Sequence, residues 1–314
     1  MTIPTEEQIK SSWIGSSKVK VSICCTTYNH EDYIEETLKG FLVQKTLFPF
    51  EVIVHDDAST DNTLSILQKF KKLYPGLINL IVQEENQYSK GKKIARDFVW
   101  SEANGDFIAL CEGDDYWVCS EKLQRQFDAL ENHEEIDLCF HDHFNLDNSG
   151  RITPSLIHSN RMNHILEVKE ILMADGDFMS TASLMVRTRS LLNMPEWFSS
   201  TPVSDFFIQV LCSLNGALYL PERMSVYRTF APNSWTATFR SMSPSDLKNY
   251  YDSLDKSLED LSGFLGASYS KEISYRRFML CMSAIKNYLF GLKLVSLFSY
   301  LPRSMYYLIK YLRE

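Results

Sequence analysis

The chain has 314 residues, 45% hydrophobic and 23% charged, with a net charge of −8, which suits a soluble globular protein of one large domain, or of one domain plus an appendage. Charge is uneven: residues 271–314 carry eight Lys or Arg against two Glu, a net of +6 that leaves −14 on the rest. Nucleic acid, which wants a basic surface on the fold itself, is therefore excluded as a partner, whereas an anionic membrane is admitted for the tail.

The seven cysteines are an odd number without CxxC spacing. Several sit in apolar runs, where a free Cys behaves as a small buried hydrophobe. They read as reduced and structural, pointing to the cytosol. The start, Met1 to Glu7, lacks a basic region followed by an apolar core, so no signal peptide is indicated.

In chain order, residues 1–17 are a polar lead-in. Val19 to Cys25 is rich in β-branched residues and reads as a strand ending at Thr26-Thr27-Tyr28-Asn29-His30. Glu31 to Gln44 has apolar residues at 34, 38, 41 and 42, a helical period. Phe50 to His55 is a second strand, ending in Asp56-Asp57-Ala58-Ser59-Thr60-Asp61, and a helix follows from Asn62 to Leu73. Leu77 to Gln83 is a third strand and Lys92 to Asn104 a third helix. Asn104-Gly105 then turns into the apolar run Ile108 to Cys111, which breaks at Glu112-Gly113-Asp114-Asp115-Tyr116-Trp117. Alternating strands and helices predict an α/β protein with a mostly parallel sheet and helices on both faces.

Three strand ends thus carry useful polar groups: Thr26, Tyr28 and Asn29; Asp56 and Asp57; Asp114 and Asp115. Ligands of parallel sheets bind beyond the carboxyl ends of the strands. Adjacent carboxylates repel unless a cation or hydrogen-bond donors neutralise them, and hard oxygen ligands suit Mg²⁺ or Mn²⁺. The plain alternative is a solvated acidic turn capping a helix near Ser120. An aromatic ring, a carboxylate and an acidic pair suit a base, a ribose and a metal-bound diphosphate. No Gly-rich phosphate loop follows a strand, so a cation must meet the phosphate charge. That combination predicts a nucleotide-sugar enzyme.

The run Val21 to His30, with His55-Asp56-Asp57-Ala58-Ser59-Thr60-Asp61 and Glu112 to Trp117, resembles glycosyltransferase family 2, in particular bacterial members that build capsule, O-antigen or exopolysaccharide. The resemblance spans Lys18 to Trp235. It implies a Rossmann-like GT-A fold over 18–240, with a nucleotide-binding half (18–117) and an acceptor half (118–240), followed by a helical region, 241–314. It implies inverting transfer of a hexose or N-acetylhexosamine from a nucleotide-sugar, UDP-linked, to a glycan acceptor, with a divalent metal (Mn²⁺ or Mg²⁺).

By the same resemblance, Thr26 and Tyr28 lie at the base, Tyr28 against uracil, with Asn29 beside them. Asp57 hydrogen-bonds the base, Asp114 contacts the ribose in a DXD-like motif, and Asp115 holds the metal. Lys90, or Lys92, reaches the diphosphate unless both are solvated loop lysines. Asp205 is the general base, with helix N-capping as its rival role. Met224 to Arg228 matches a further family motif, but Phe230 stands where a His is usual, which removes a plausible metal ligand or diphosphate donor. Trp235 would cover the site as a lid.

Leu138 to His143 reads as a strand whose His141 and His143 share one face, a metal pattern that strand alternation also explains. Phe178 to Arg187 is expected as a strand, and Ser204 to Leu214 as a helix before a strand from Ala217. Helices are expected over Leu247 to Leu265, Ile273 to Phe290 and Leu292 to Leu312, the last bent near Pro302. The run from Tyr288 to Leu301 is too short to span a membrane. Aromatics interleaved with Arg303, Lys310 and Arg313 suit a helix in a membrane interface, which would make the chain peripheral at the inner face of the cell membrane; packing on the catalytic domain, or on a second subunit of a homodimer, explains them equally. Two rival functions remain: a non-catalytic glycan- or nucleotide-binding scaffold, and a sugar nucleotidyltransferase.

Overall fold

The computed structural model describes residues 3–15, 17–155, 162–174, 178–229, 235–290 and 294–313. The lead-in contains a short helix, α1 (Glu6–Lys10), closed by a reciprocal capping box between Thr5 and Gln8. The apolar runs form β1 (Val21–Thr27), β2 (Phe50–Asp56), β3 (Ile78–Val82) and β4 (Phe107–Glu112). All of their mutual pairings are parallel, with Thr26 opposite both His55 and Glu112. The helix α2 (Ile34–Leu42) buries Ile34, Leu38, Phe41 and Leu42, the stripe its period requires, and α3 (Thr63–Leu73) buries Leu67 and Phe70.

The remaining elements of the sheet are β5 (Tyr116–Trp117), β6 (Leu138–Leu146), β7 (Ile152–Pro154), β8 (His164–Leu166), β9 (Met185–Arg187) and β10 (Ala217–Arg228). Strand order is β3-β2-β1-β4-β9-β6-β10-β5, with β7 on β6 and β8 on β10. The parallel sheet expected from the alternation holds for the first four strands. Beyond β4 the sheet is mixed, because β9 runs antiparallel to both of its neighbours. Arg187 anchors that short strand by donating to the carbonyls of Leu130 (2.7 Å) and Ile136 (3.0 Å).

Two expected elements are irregular. Residues 92–104 form not an α-helix but a π-type turn, Ala95–Val99, running into a 3₁₀ turn, Trp100–Glu102. The Asp97 carboxylate takes the Lys93 N–H at 3.0 Å, and the consecutive side chains of Val99 and Trp100 are both buried, a demand that a widened turn meets more readily. In the expected strand 178–187 only Met185–Arg187 is extended. Ser183 donates both its N–H and its hydroxyl to the Ser180 carbonyl, closing a turn in place of a ladder.

The chain divides into two compact units. The first, 1–166, 177–194 and 211–233, holds the sheet together with α4 (Lys122–Glu131) and α6 (Thr188–Leu192). The second comprises 167–176, 195–210 and 234–314. Three segments of the expected 18–240 region, 167–176, 195–210 and 234–240, thus group with the helical tail. This second unit contains α5 (Val168–Met173), most of α7 (Asp205–Leu211), α8 (Trp235–Ser241), α9 (Pro244–Leu265), α10 (Ser270–Phe290) and α11 (Leu294–Arg313). Its core is a tyrosine cluster of Tyr251, Tyr288, Tyr300 and Tyr307. A two-point Arg277–Asp255 ion pair at 2.7 and 2.9 Å adds to it, and α11 continues through Pro302. Among the described residues no helix is long and apolar enough to cross a membrane.

Candidate active site

Strand order reverses at β1, which has β2 on one side and β4 on the other. Such a switch point opens a crevice beyond the carboxyl ends of the strands. The loops leaving β1, β2 and β4 are tied together there. The Gly113 N–H donates to the Thr26 carbonyl (2.9 Å) and the Asp57 N–H to the Thr27 carbonyl (3.0 Å). Thr37 of α2 donates its hydroxyl to the carbonyls of Gly113 (3.0 Å) and Asp115 (2.6 Å). Tyr28 and Asp114 therefore lie on the same rim, each two residues beyond the paired Thr26 and Glu112.

Backbone strain concentrates on this rim. The non-glycine residues with positive φ among those described are Asn29 (55°) and Ala58 (61°), just past β1 and β2. Asn29 accommodates the conformation by holding the neighbouring loop: its N–H donates to Ser59 Oγ (2.9 Å) and its side-chain oxygen accepts from the Thr60 N–H (2.8 Å). Ala58 has no such means and costs about 1–2 kcal/mol, the kind of cost retained where geometry serves function.

Glycine is required at position 113. A Cβ there would lie 2.7 Å from the Thr27 side chain and 2.8 Å from His30 Nδ1. Gly113→Ala is expected to displace the acidic turn, lowering stability by about 1–3 kcal/mol and donor turnover with it. Denaturant unfolding and a donor hydrolysis assay check this; a variant with parental values in both removes the constraint.

The acidic pair divides in character. Asp114 is half-buried, whereas Asp115 is 1% exposed. Asp115 Oδ1 accepts the Arg228 N–H at 2.8 Å, but its Oδ2 is buried with no hydrogen-bond partner. Burial first, then the Asp114 charge, pushes the Asp115 carboxyl well above the usual carboxylate range. A bare buried carboxylate oxygen is costly unless something satisfies it.

Arg228 completes this corner. Its guanidinium lies between the rings of Tyr33 (4.9 Å) and Tyr116 (4.7 Å) and donates to the Asp114 carbonyl and the Glu36 carboxylate. Register shifts between Leu220, Arg223 and Ser225, around Pro221, let β10 pair with β8 near its start and with β5 near its end. That delivers Arg228 to the acidic turn. The buried Lys122 donates to Gln126 Oε1 (2.7 Å) and lies 3.9 Å over the Trp117 ring. Burial lowers its pKa to about 7.

A divalent cation fits the acidic turn, since it would satisfy Asp115 Oδ2 and offset the like charge of Asp114. Among the described residues no group of three or more His, Cys, Asp or Glu is arranged to hold a metal. The carboxylate pair matches instead the open mode in which water and substrate phosphates complete the shell. His141 and His143 are buried in β6; His141 Nδ1 contacts the Asp142 carbonyl at 2.7 Å, and burial lowers both pKa values, that of His143 to about 4.

The other expected residues are placed as follows. Thr26 and Tyr28 are half-buried at the rim. Asp57 is buried and accepts the backbone N–H groups of Gln87 (2.8 Å) and Tyr88 (3.0 Å), so it positions that loop. Lys90 is exposed and pairs with Glu85. Asp205 lies in the second unit, exposed at the first turn of α7. Burial, then Tyr251 and Asp205, raises the Tyr250 phenol to about 12. Trp235 packs on the same ring at 5.5 Å. Phe230 is outside the described residues. Tyr33, Glu36 and Tyr116 were not expected at the site. For Tyr33 and Glu36 the signal was their i, i+3 spacing at the start of the helix after β1, and for Tyr116 its place directly after the acidic pair.

The profile of the family described as Glycosyl transferase family 2 matches residues 22–190. The Mycobacterium tuberculosis protein Rv1520 is 35% identical over 221 residues, 70% of this chain and 61% of its own length. The match therefore spans about three fifths of that relative. The Escherichia coli UDP-Glc:alpha-D-GlcNAc-diphosphoundecaprenol beta-1,3-glucosyltransferase WfaP is 37% identical over 111 residues, 35% of this chain and 41% of that one. Among solved structures, Staphylococcus aureus TarS 1–349 in complex with UDP-GlcNAc superposes with a TM-score of 0.64 at 20% identity, over 86% of this chain and 81% of that one. That likeness establishes the GT-A fold.

Proposed function

This chain belongs to glycosyl transferase family 2, and on that premise we propose that it moves a sugar, with inversion, from a UDP-sugar to a growing bacterial surface glycan. The observation that carries the reading is the buried, unpartnered Asp115 Oδ2 beside Asp114, at the switch point of the sheet. The UDP-GlcNAc in the TarS complex and the UDP-Glc in the name of WfaP support the choice of donor.

In this reading Tyr28 and Thr26 receive the base, Asp57 keeps the loop 86–88 against it, and Asp114 orients the ribose. Asp115 would hold Mg²⁺ or Mn²⁺, which would neutralise charge on the departing diphosphate. Asp205 takes the proton of the acceptor hydroxyl as that oxygen bonds to the anomeric carbon; the bond from that carbon to the diphosphate breaks and its electron pair leaves with the nucleotide. Trp235 covers the reacting sugar. A lipid-linked acceptor, like the diphosphoundecaprenol in the name of WfaP, would put the chain at the inner face of the membrane, in contact through 271–314.

Hydrolysis of a panel of UDP-, GDP- and dTDP-sugars, with Mn²⁺ and with chelator, tests the reading. Metal-dependent cleavage of UDP-sugars is expected; a chain that cleaves none of them is a scaffold, and one that forms a nucleotide-sugar from sugar phosphate is a nucleotidyltransferase. Asp205→Asn is expected to lower transfer by about 10²–10⁴ with donor binding retained. Unchanged transfer removes Asp205 as the base.

A further inference from the structure

Helix α11 has two unlike faces. Tyr300, Ser304 and Tyr307 are buried, and Tyr311 is half-buried. Tyr300 stacks on Tyr288 at 5.7 Å and meets Tyr251 at 6.0 Å. Tyr307 receives the Arg277 guanidinium at 4.4 Å and reaches Asp255 at 3.3 Å. These contacts fasten α11 within its unit. They leave Leu301 (40% exposed), Met305 (64%), Ile309 (44%) and Leu312 (71%) facing away.

The spacing of those four, i, i+4, i+8 and i+11, is one stripe along the helix. Arg313, exposed, lies at its border with Tyr306 (62% exposed), whereas Arg303 turns the other way and donates to Asp252 Oδ1 of α9 at 2.6 Å. The folded unit needs none of the four apolar side chains outside, so their alignment calls for a partner. An apolar stripe bordered by arginine and an exposed tyrosine is what a helix lying in a lipid interface presents. Residues 271–314 carry a net +6; Asp255 and Asp252 match Arg277 and Arg303, and the remaining +4 (+6 less these two) complements an anionic headgroup layer.

We propose that Leu301, Met305, Ile309 and Leu312 enter the headgroup–acyl boundary of an anionic bilayer, with Arg313 at the level of the lipid phosphates. The inference rests on the peripheral attachment proposed above and names its face and its lipid class. Fastening of α11 to α9 and α10 by Arg303–Asp252 and by Tyr307 against Arg277 and Asp255 keeps the face presented, so binding requires no unfolding of the unit.

Vesicle flotation of the full chain, without donor, tests this. Binding is expected to vesicles of phosphatidylcholine with about 30 mol% phosphatidylglycerol, and to be about tenfold or more weaker on phosphatidylcholine alone or at high salt. The double substitution Met305→Glu with Ile309→Glu is expected to lower binding about tenfold or more, leaving the melting temperature and donor hydrolysis in solution unchanged. Leu312→Ser, at the exposed helix end, is expected to give a smaller loss in the same direction. If the parent and the double variant float equally, this face is wrong while attachment stands. If the parent does not float at all, attachment and face fall together; donor hydrolysis, read without vesicles, judges the transferase reading separately. A parent dimer that the double substitution converts to monomer overturns the proposal in favour of a second copy.

Discussion

Asp115→Asn is expected to abolish metal-dependent donor turnover, by about a thousandfold or more, and to remove the pH dependence of metal stabilisation. The sign follows from the carboxyl itself. Its folded pKa stands well above the ordinary carboxylate value, because burial and then Asp114 disfavour the charge. Unfolding lets it ionise from about pH 4 upward. In the metal-free protein its contribution to stability is fully present below that pH and is lost as pH rises towards the raised folded value. Cation binding displaces the proton, so the stabilisation gained from Mn²⁺ grows over the same window.

Thermal unfolding with and without Mn²⁺ is therefore expected to show a larger upward shift at pH 8 than at pH 5, and none in Asp115→Asn. At a hundredfold excess over Kd the parent would gain about 2.7 kcal/mol. The amide keeps an oxygen for the Arg228 N–H but sets an NH₂ where Oδ2 now has no partner, a cost of about 1–3 kcal/mol against removal of a buried acid. A Mn²⁺ shift that is flat with pH, or that survives in the Asn variant, puts the cation elsewhere.

Arg228→Ala is expected to lower kcat/KM by about 10²–10³ and to move the acidic limb of the pH–rate profile upward. Its backbone N–H still reaches Asp115, so what is lost is the guanidinium. The Arg228 charge favours ionised Asp115; without it the proton is held more tightly and competes with the metal to higher pH. Two cation–π contacts, each worth about 0.5–2 kcal/mol, go as well, and Glu36 and the Asp114 carbonyl lose their donor. Arg228→Lys restores the charge without the fork that spans Glu36 and Asp114 together, and is expected to recover the pH profile more fully than the rate. A profile that superimposes on the parent in Arg228→Ala would leave the residue a structural role only.

These effects converge on a corner that local sequence reading only partly exposes. The strand ends carrying Tyr28, Asp57, Asp114 and Asp115 were legible because a β-branched run broken by Gly, Asp or Asn is a short-range signal. What each side chain does there was less legible. Asn29 turns its amide to Thr60, Asp57 gives both carboxylate oxygens to the loop after β3, and Lys90 pairs with Glu85. Each is a local choice between competing donors, which residue type alone does not settle. The irregular backbone at 95–102 was hidden for a related reason, since a helical period cannot report that two adjacent side chains must both be buried.

The α/β class, the parallel first half of the sheet, the rim on which the polar loops gather and the kinship with family 2 can be read along the chain, because each rests on patterns a few residues long. That Asp115 has one oxygen clamped and one bare, and that Arg228, 113 positions further on, does the clamping from between two tyrosines, emerges from the packed fold alone. That pairing depends on the bulges and edge partners of β10, and a register set across distant strands leaves no periodic trace along the chain.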